Sequence, residues 1–213
     1  MAWRKHIVFW IIGIFVLVLV VPIFATPQTV WGSASKELHL IQSAFGYDDT
    51  KKLADTSSAA YRAIFVDTGV INSVRAGEVS TADRQRNKEL FGGTIVGLTG
   101  ITNNYVLTLS ALVYIIMVRL YIMLTWAPFI LPFMLAAVID GFVHRKVKLL
   151  NVRGQSTVKF SLALHAIIII FMVPVLYLLA PFAISPLFVP GWALVASVPL
   201  LVLISNVQPM SPT

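Results

Sequence analysis

The chain has 213 residues and a formal net charge of +7, with 58% hydrophobic and only 12% charged residues. An ordinary soluble domain is about 45–50% apolar and about 25% charged. The composition therefore excludes a soluble globular protein and predicts an all-α integral membrane protein with about four transmembrane helices. Because the chain has no cysteine, disulfide frameworks, thiolate metal sites and cysteine nucleophiles are also excluded.

The first element is an N-terminal transmembrane anchor, residues 1–24. Its apolar run, Ile7–Phe24, follows Arg4 and Lys5, and at 1.5 Å per residue its length is about 27 Å, close to the thickness of the hydrocarbon core. A cleaved signal peptide ending near Ala25 is the alternative. The run is longer than the usual apolar part of a signal peptide, which favours an uncleaved anchor.

Residues 25–104 form a polar segment between apolar regions, with eight basic and eight acidic side chains. Because this segment is neutral, it can be translocated, and we predict a periplasmic helical segment. The spacings of Leu38, Ile41 and Phe45 indicate one amphipathic helix, and a second is expected to begin near Asp48 and Asp49 as caps. A third is expected at 82–91, ending at Gly92-Gly93. The segment either orders the spans as a cap or is a recognition domain.

The remaining chain, residues 105–213, is predicted to be a membrane bundle. Its first apolar region, Tyr105–Val143, would measure about 58 Å as one helix, which is too long for one span. We therefore expect a division at Arg119 into an interfacial helix, 105–118, and a span, 120–143, in which Pro128 and Pro132 produce kinks. Two further spans, 160–183 and 187–207, are expected to form a tight hairpin through Ile184-Ser-Pro186.

Charge placement predicts the topology. The loop 144–159 carries five Lys and Arg side chains and, like Arg4 and Lys5, is expected in the cytoplasm. This gives four spans with both ends of the chain in the cytoplasm. Five spans with the basic loop outside would contradict the positive-inside rule.

Asp140 is the strongest candidate for a functional side chain, because it is the only acidic residue within an apolar run. His144 is its i+4 neighbour and Arg145 is close, so an ion pair at the membrane surface is expected. His165 should lie at a similar depth on the next span, where a hydrogen bond to Asp140 would pin the two helices. A proton or ion relay is the alternative.

Arg119 also lies in an apolar setting. Counting back from Val143 places it at the outer membrane surface, where it is expected to reach lipid headgroups as a snorkelling anchor. A voltage-sensing or substrate role would require repeated arginines or a facing acid, and the sequence indicates neither.

Motifs of catalysis are absent from the sequence. It has no glycine-rich phosphate loop followed by lysine, no His-Glu-x-x-His and no Gly-x-Ser-x-Gly, and its four histidines do not have ligand spacing. We therefore expect no enzyme activity, no catalytic residue, no metal site and no cofactor. The basic loop has no aromatic residue before Phe160, so sequence-specific nucleic acid binding is not expected. A small-solute transporter or channel subunit remains an alternative.

One stretch resembles a known family. Ala136-Ala-Val-Ile-Asp140-Gly141-Phe-Val-His144-Arg145, followed by a basic loop that contains Arg153 and Gly154, is similar to the signature of an inner-membrane protein family encoded by integrative conjugative elements and conjugative plasmids. In that family an apolar helix ends in Asp-Gly, an arginine follows four residues later, and a basic, glycine-bearing loop leads to the next span.

The resemblance implies an accessory membrane protein of conjugative DNA transfer that works beside a type IV secretion system. Its implied partners are membrane lipid and other transfer proteins, above all the coupling ATPase. The residues that the resemblance and the charge pattern single out for structure or interaction are Arg119, Asp140, Gly141, His144, Arg145, Arg153 and His165.

Overall fold

The computed structural model of the protein describes residues 2–72, 94–151 and 156–207. This part of the chain is helical and contains no strand. The long helices are α1 (Ala2–Phe24), α2 (Pro27–Phe45), α3 (Tyr47–Tyr61), α4 (Thr94–Leu150), α5 (Thr157–Leu179) and α6 (Phe188–Ser205). The all-α fold predicted from the sequence is confirmed for the described residues.

Within residues 2–72, 94–151 and 156–207, three helices are long and apolar enough to cross a membrane: α4 from Ile101 onward, α5 and α6. A fourth span is counted only if α1 and α2, which bend by 107° at their junction, are taken as one broken span. The predicted count of four spans therefore stays a prediction, as does the position of each segment relative to the membrane.

The bend between α1 and α2 has a local cause. Thr26 is extended, with φ of −95° and ψ of 154°, and its hydroxyl oxygen accepts a hydrogen bond from the N–H of Thr29 at 3.2 Å. Pro27 occupies the first turn of α2. A backbone N–H at this position would have no carbonyl partner within the helix, so the missing N–H of proline costs nothing there. The sequence Thr26-Pro27 therefore ends α1 and starts α2 as a capped new helix.

Gly46 separates α2 from α3. Its φ of +85° is a backbone conformation that L side chains rarely adopt, and its N–H donates to Gln42 O at 2.9 Å. The prediction that Asp48 and Asp49 cap α3 is wrong, because Gly46 is the cap and the two acids lie in the first helical turn. There they favour the helix through its dipole.

After α3 the chain continues as a π-helical turn, Arg62–Val66. The helix predicted at 82–91 lies outside the described residues.

The predicted break of the helix at Arg119 is wrong, whereas the interfacial position of 105–118 and the span 120–143 stay predictions. α4 runs without interruption from Thr94 to Leu150, 57 residues, and includes both Pro128 and Pro132. The separate helix expected at 105–118 is thus the first half of a longer one. Bilayer thickness limits the length of a membrane span, but it does not decide where a helix ends.

The chain divides into two compact units. Unit 1 comprises residues 1–121 and 178–185, and unit 2 comprises residues 122–177 and 186–213. The border within α4 falls just after Arg119, so the position at which a break was predicted is where α4 passes from one unit to the other.

The core of unit 1 is formed by α2, α3 and the first half of α4. α2 contributes a stripe of buried residues at spacings of three and four, namely Pro27, Val30, Ala34, Glu37 and Ile41. α4 is buried on several sides between Thr108 and Ile122. Trp31, Tyr61 and Tyr114 join the three helices through ring contacts with centroids 5.1 to 6.1 Å apart, which adds to their apolar burial.

In unit 2, α4 and α6 run side by side in the same direction. Gly141 allows a close approach: a Cβ atom at this position would lie 2.9 Å from Ile204 Cβ and 3.3 Å from Leu201 O. Seven residues further along α4, Lys148 Nζ donates to Ser205 O at 3.2 Å and to Asn206 Oδ1 at 3.1 Å. Lys148 thereby neutralises the carbonyl end of α6.

α5 and α6 are antiparallel and joined by aromatic contacts. Tyr177 stacks on Phe188 with centroids 4.7 Å apart, and Phe171 meets Trp192 edge-on at 5.6 Å. The indole Nε1 of Trp192 donates to the carbonyl of Ile170 at 2.8 Å. Ile170 lies four residues before Pro174, which has no N–H to give to that carbonyl. Trp192 therefore supplies the donor that the proline removes.

This compensation predicts the outcome of a double-mutant cycle. Trp192→Phe keeps the ring contact but leaves the Ile170 carbonyl without its donor, at a cost of about 1–3 kcal/mol in free energy of unfolding. In a Pro174→Ala background the backbone N–H gained by the substitution serves the carbonyl, so the same Trp192→Phe change should cost much less. Denaturation of the four purified proteins in detergent measures the coupling. Equal losses in both backgrounds would show that Trp192 acts by packing alone.

Gly141 and Gly191 provide a matched pair of glycine-to-alanine tests. Gly141→Ala should destabilise the protein by about 1–3 kcal/mol, because the new methyl group overlaps Ile204. Gly191→Ala, also within a helix but with no atom within 4 Å of the place that the methyl group would take, should be neutral or stabilising by up to about 1 kcal/mol. Thermal unfolding in one detergent compares them, and equal changes would contradict the close contact between α4 and α6.

Candidate functional site: a buried arginine and the residues around it

The most polar buried site in the described residues centres on Arg119, on α4 in unit 1. Its side chain is 0% exposed, and it is among the largest fully buried side chains. A guanidinium group cannot give up its charge in a protein, so burial requires acceptors for its N–H groups.

Glu37, on α2, provides the opposite charge and is only 1% exposed. Arg119 Nε donates to Glu37 Oε1 at 2.9 Å, and Nη2 donates to Oε2 at 2.8 Å. The guanidinium and the carboxylate are therefore paired through two roughly parallel hydrogen bonds, the strongest arrangement for such a pair.

The connection between α5 and α6 supplies the remaining identified acceptors. Arg119 Nη1 donates to Ala180 O at 2.8 Å, and Nη2 donates to Phe182 O at 2.6 Å. α5 ends at Leu179, so the carbonyls of residues 180 and 182 have no helical partner. Arg119 thus holds α2, α4 and this connection together. Its bonds to the backbone of residues 180 and 182 account for the place of residues 178–185 in unit 1.

Two sequence predictions are corrected here. Arg119 is not a snorkelling anchor at a lipid surface, because protein atoms surround it completely. The hairpin turn is also not confined to Ile184-Ser-Pro186: α5 ends before Ala180 and α6 begins at Phe188. Arg119 binds the backbone of this wider connection at Ala180 and Phe182.

Glu37 is the residue that the sequence analysis missed. It lies 82 positions before Arg119, in a segment whose acids and bases balance, so net charge gave no signal. A usable signal was the position of Glu37 on the buried face of α2. The other residues of that face are uncharged, namely Pro27, Val30, Ala34 and Ile41. A lone acid on an otherwise uncharged helical face indicates a buried partner of opposite charge.

The residues predicted around Asp140 lie in unit 2. His144 Nε2 lies 3.6 Å from Asp140 Oδ2, and both side chains are more than half exposed, as expected for the predicted i, i+4 pair. Nε of Arg145 is buried and has no hydrogen-bond partner within the described part of the chain. His165 Nδ1 lies 2.7 Å from Ser161 O on its own helix. The hydrogen bond between Asp140 and His165 stays a prediction, and Arg153 lies outside the described residues.

The site around Arg119 has the chemistry of a structural clamp. Its carboxylate and guanidinium are engaged with each other and enclosed, so they present no group to a substrate. Among the described residues, no group of three or more His, Asp or Glu side chains is placed to hold a metal ion.

Removing one partner of this pair should strongly destabilise unit 1. Arg119→Met leaves the Glu37 carboxylate buried without its cation and two connection carbonyls without donors, at a cost of about 3–5 kcal/mol. The double variant Glu37→Met, Arg119→Met should cost clearly less than the sum of the two single changes. Unfolding of the purified variants in detergent gives the coupling energy.

The exposed pair Asp49 and Lys52, 3.6 Å apart with exposures of 69% and 72%, is a matched control, and Lys52→Met should leave stability unchanged. Exchanging the charges, Glu37→Arg with Arg119→Glu, should not restore stability, because a carboxylate at position 119 would face the carbonyls of Ala180 and Phe182. Full rescue by the exchange would contradict the role assigned to those carbonyls.

Comparison with known proteins supports the resemblance noted in the sequence. No curated protein and no solved structure matches the chain. Residues 32–210 match a family described as "IncC plasmid conjugative DNA transfer protein DtrJ-like", a range that contains Glu37, Arg119 and the Asp140-Gly141 signature. The predicted relation to a conjugation-associated family is thus confirmed, and the chain belongs to the DtrJ-like family.

Proposed function

We propose that this protein is an accessory inner-membrane subunit of a conjugative DNA-transfer, or type IV secretion, system. It acts by binding the coupling ATPase or channel subunits, not by catalysis. Membership of a conjugative DNA transfer family and three helices of membrane length support this proposal. The topology that it uses has residues 25–104 in the periplasm and both termini in the cytoplasm.

The observation that carries the proposal is a groove between α4 and α6 in unit 2, which we call the Asp140 groove. It has a volume of about 370 Å³ and is lined by Phe133, Ala136, Ala137, Asp140, Ser197, Val198, Leu201 and Val202. Asp140 is the only charged residue in this lining set, which is drawn from the described part of the chain. The groove is otherwise formed largely by small and apolar side chains.

A transmembrane helix with a basic side chain fits this groove. Ala136, Ala137 and Ser197 are small enough for a helix backbone to approach closely, which is how membrane helices associate. A carboxylate in an apolar stretch of a helix is costly without a cation, and His144 at 3.6 Å leaves the Asp140 carboxylate more than half exposed. A Lys or Arg of a partner helix would complete it, whereas the phosphate of a lipid would be repelled.

Photo-cross-linking in cells that carry the whole transfer gene set tests the proposal. A cross-linking amino acid at Ala136, in the groove, should form an adduct with the coupling ATPase or a channel subunit. The same amino acid at Ile169, which is 55% exposed on α5 and outside the groove, should not. Adducts with the same protein from both positions, or from neither, would contradict a partner in the groove.

Charge variants test the role of Asp140. Loss of one charge-assisted contact is worth about 1.5–3 kcal/mol, so Asp140→Asn should weaken partner recovery by about tenfold or more, and Asp140→Lys should abolish it. Asp55→Asn, at an exposed position of α3, is the control and should have no effect. DNA-transfer frequency should follow partner recovery. Normal transfer by Asp140→Lys, or solute flux by the protein alone in proteoliposomes, would overturn the proposal.

The topology is checked separately with single cysteines in this cysteine-free chain. In intact cells, a reagent that cannot cross the inner membrane should label Val70→Cys and spare Leu150→Cys.

A further inference from the structure

A second groove lies between α5 and α6, next to the Asp140 groove, and the proposed function does not use it. It has a volume of about 470 Å³ and an open, almost wholly apolar surface formed by Leu162, Ala166 and Ile170 of α5 and Val195, Pro199 and Val202 of α6. This volume is within the range of roughly 300–1,000 Å³ found for small-molecule sites. We call it the hairpin groove.

The shape of the hairpin groove follows from the residues along it. Contacts of Trp192 with Phe171 and Ile170 hold the helices together at one end, and Ser156 N donates to Asn206 Oδ1 at 3.5 Å at the other. Between these contacts, small residues such as Ala166 leave space. From residue 159 to residue 170 α5 rises about 16 Å. The apolar surface therefore extends for about 16 Å along α5, which is long enough for much of an extended alkyl chain.

Among the described residues that line the groove, Lys159 is the only charged one, and it lies at one end. Its side chain is exposed, and its backbone N–H donates to Ser156 Oγ at 3.3 Å, which places it in the first turn of α5. An ammonium group and the positive end of a helix dipole favour an anion at this end. A molecule that fits has an anionic head and an apolar tail.

We propose that the hairpin groove binds one acyl chain of an anionic glycerophospholipid, whose phosphate pairs with Lys159. The two grooves beside α6 share Val198 and Val202 as lining residues but have opposite charges at their polar positions. The Asp140 groove repels a phosphate and the hairpin groove attracts one. This lipid site does not depend on which transfer protein binds the chain.

Native mass spectrometry of the full-length, delipidated protein tests the site. Phosphatidylglycerol and phosphatidylcholine with identical acyl chains are added in turn, and the bound fraction is measured. One basic residue beside an anionic lipid corresponds to about a fivefold change in affinity. Phosphatidylglycerol should therefore bind at least about fivefold more tightly than phosphatidylcholine.

Two variants separate the head and tail contributions. Lys159→Glu should remove the preference for phosphatidylglycerol, and because the side chain is exposed the fold should be retained, as unfolding temperature verifies. Ala166→Leu should reduce binding of both lipids by filling the groove. Lys146→Glu, an equal charge change at an exposed position of α4 outside the groove, is the control and should keep the preference.

Three outcomes would overturn the proposal. The first is equal binding of the two lipids by the unmodified protein. The second is an unchanged preference for phosphatidylglycerol in Lys159→Glu. An equal loss of that preference in Lys146→Glu would also overturn the proposal, because the preference would then come from general surface charge. The third is a dimer that Ala166→Leu dissociates, which would show that a second copy of the chain occupies the groove.

Discussion

The buried guanidinium of Arg119 is the constraint on which unit 1 depends. Its charge cannot be removed by a proton shift, so the chain must bring acceptors to it. They come from Glu37, 82 residues earlier, and from the carbonyls of Ala180 and Phe182, more than 60 residues later. One side chain thereby fixes the position of α2 on α4 and draws the connection after α5 into the same unit.

The same physical requirement recurs in unit 2 in milder form. Pro174 leaves the carbonyl of Ile170 without its helical donor, and Trp192 provides one; the carbonyl end of α6 receives Lys148. In a chain this apolar, unsatisfied backbone carbonyls are costly because little water is available to bind them. Polar side chains of the described helices are therefore used in part as donors to backbone, which leaves fewer of them for chemistry.

Two charged side chains, Asp140 and Lys159, lie instead at two adjoining open grooves along α6. Their opposite signs make the two grooves suitable for different neighbours, a basic helix and an anionic lipid. The different charges at the two grooves agree with the function proposed for this member of the DtrJ-like family.

The sequence by itself determined the fold class, the positions of α5 and α6, and the family, because these follow from apolar runs, proline placement and the local Asp140-Gly141-Arg145 pattern. Sequence also placed the Asp140 and His144 pair, whose spacing of four is a property of any helix. The tertiary structure decided the continuity of α4 and the role of Arg119. From the local sequence, only lipid and a residue close by in the chain could be considered as partners of Arg119. Its actual partner, Glu37, lies on another helix. Whether a charge is solvated or buried depends on contacts between distant segments, and those contacts exist only after the chain has folded.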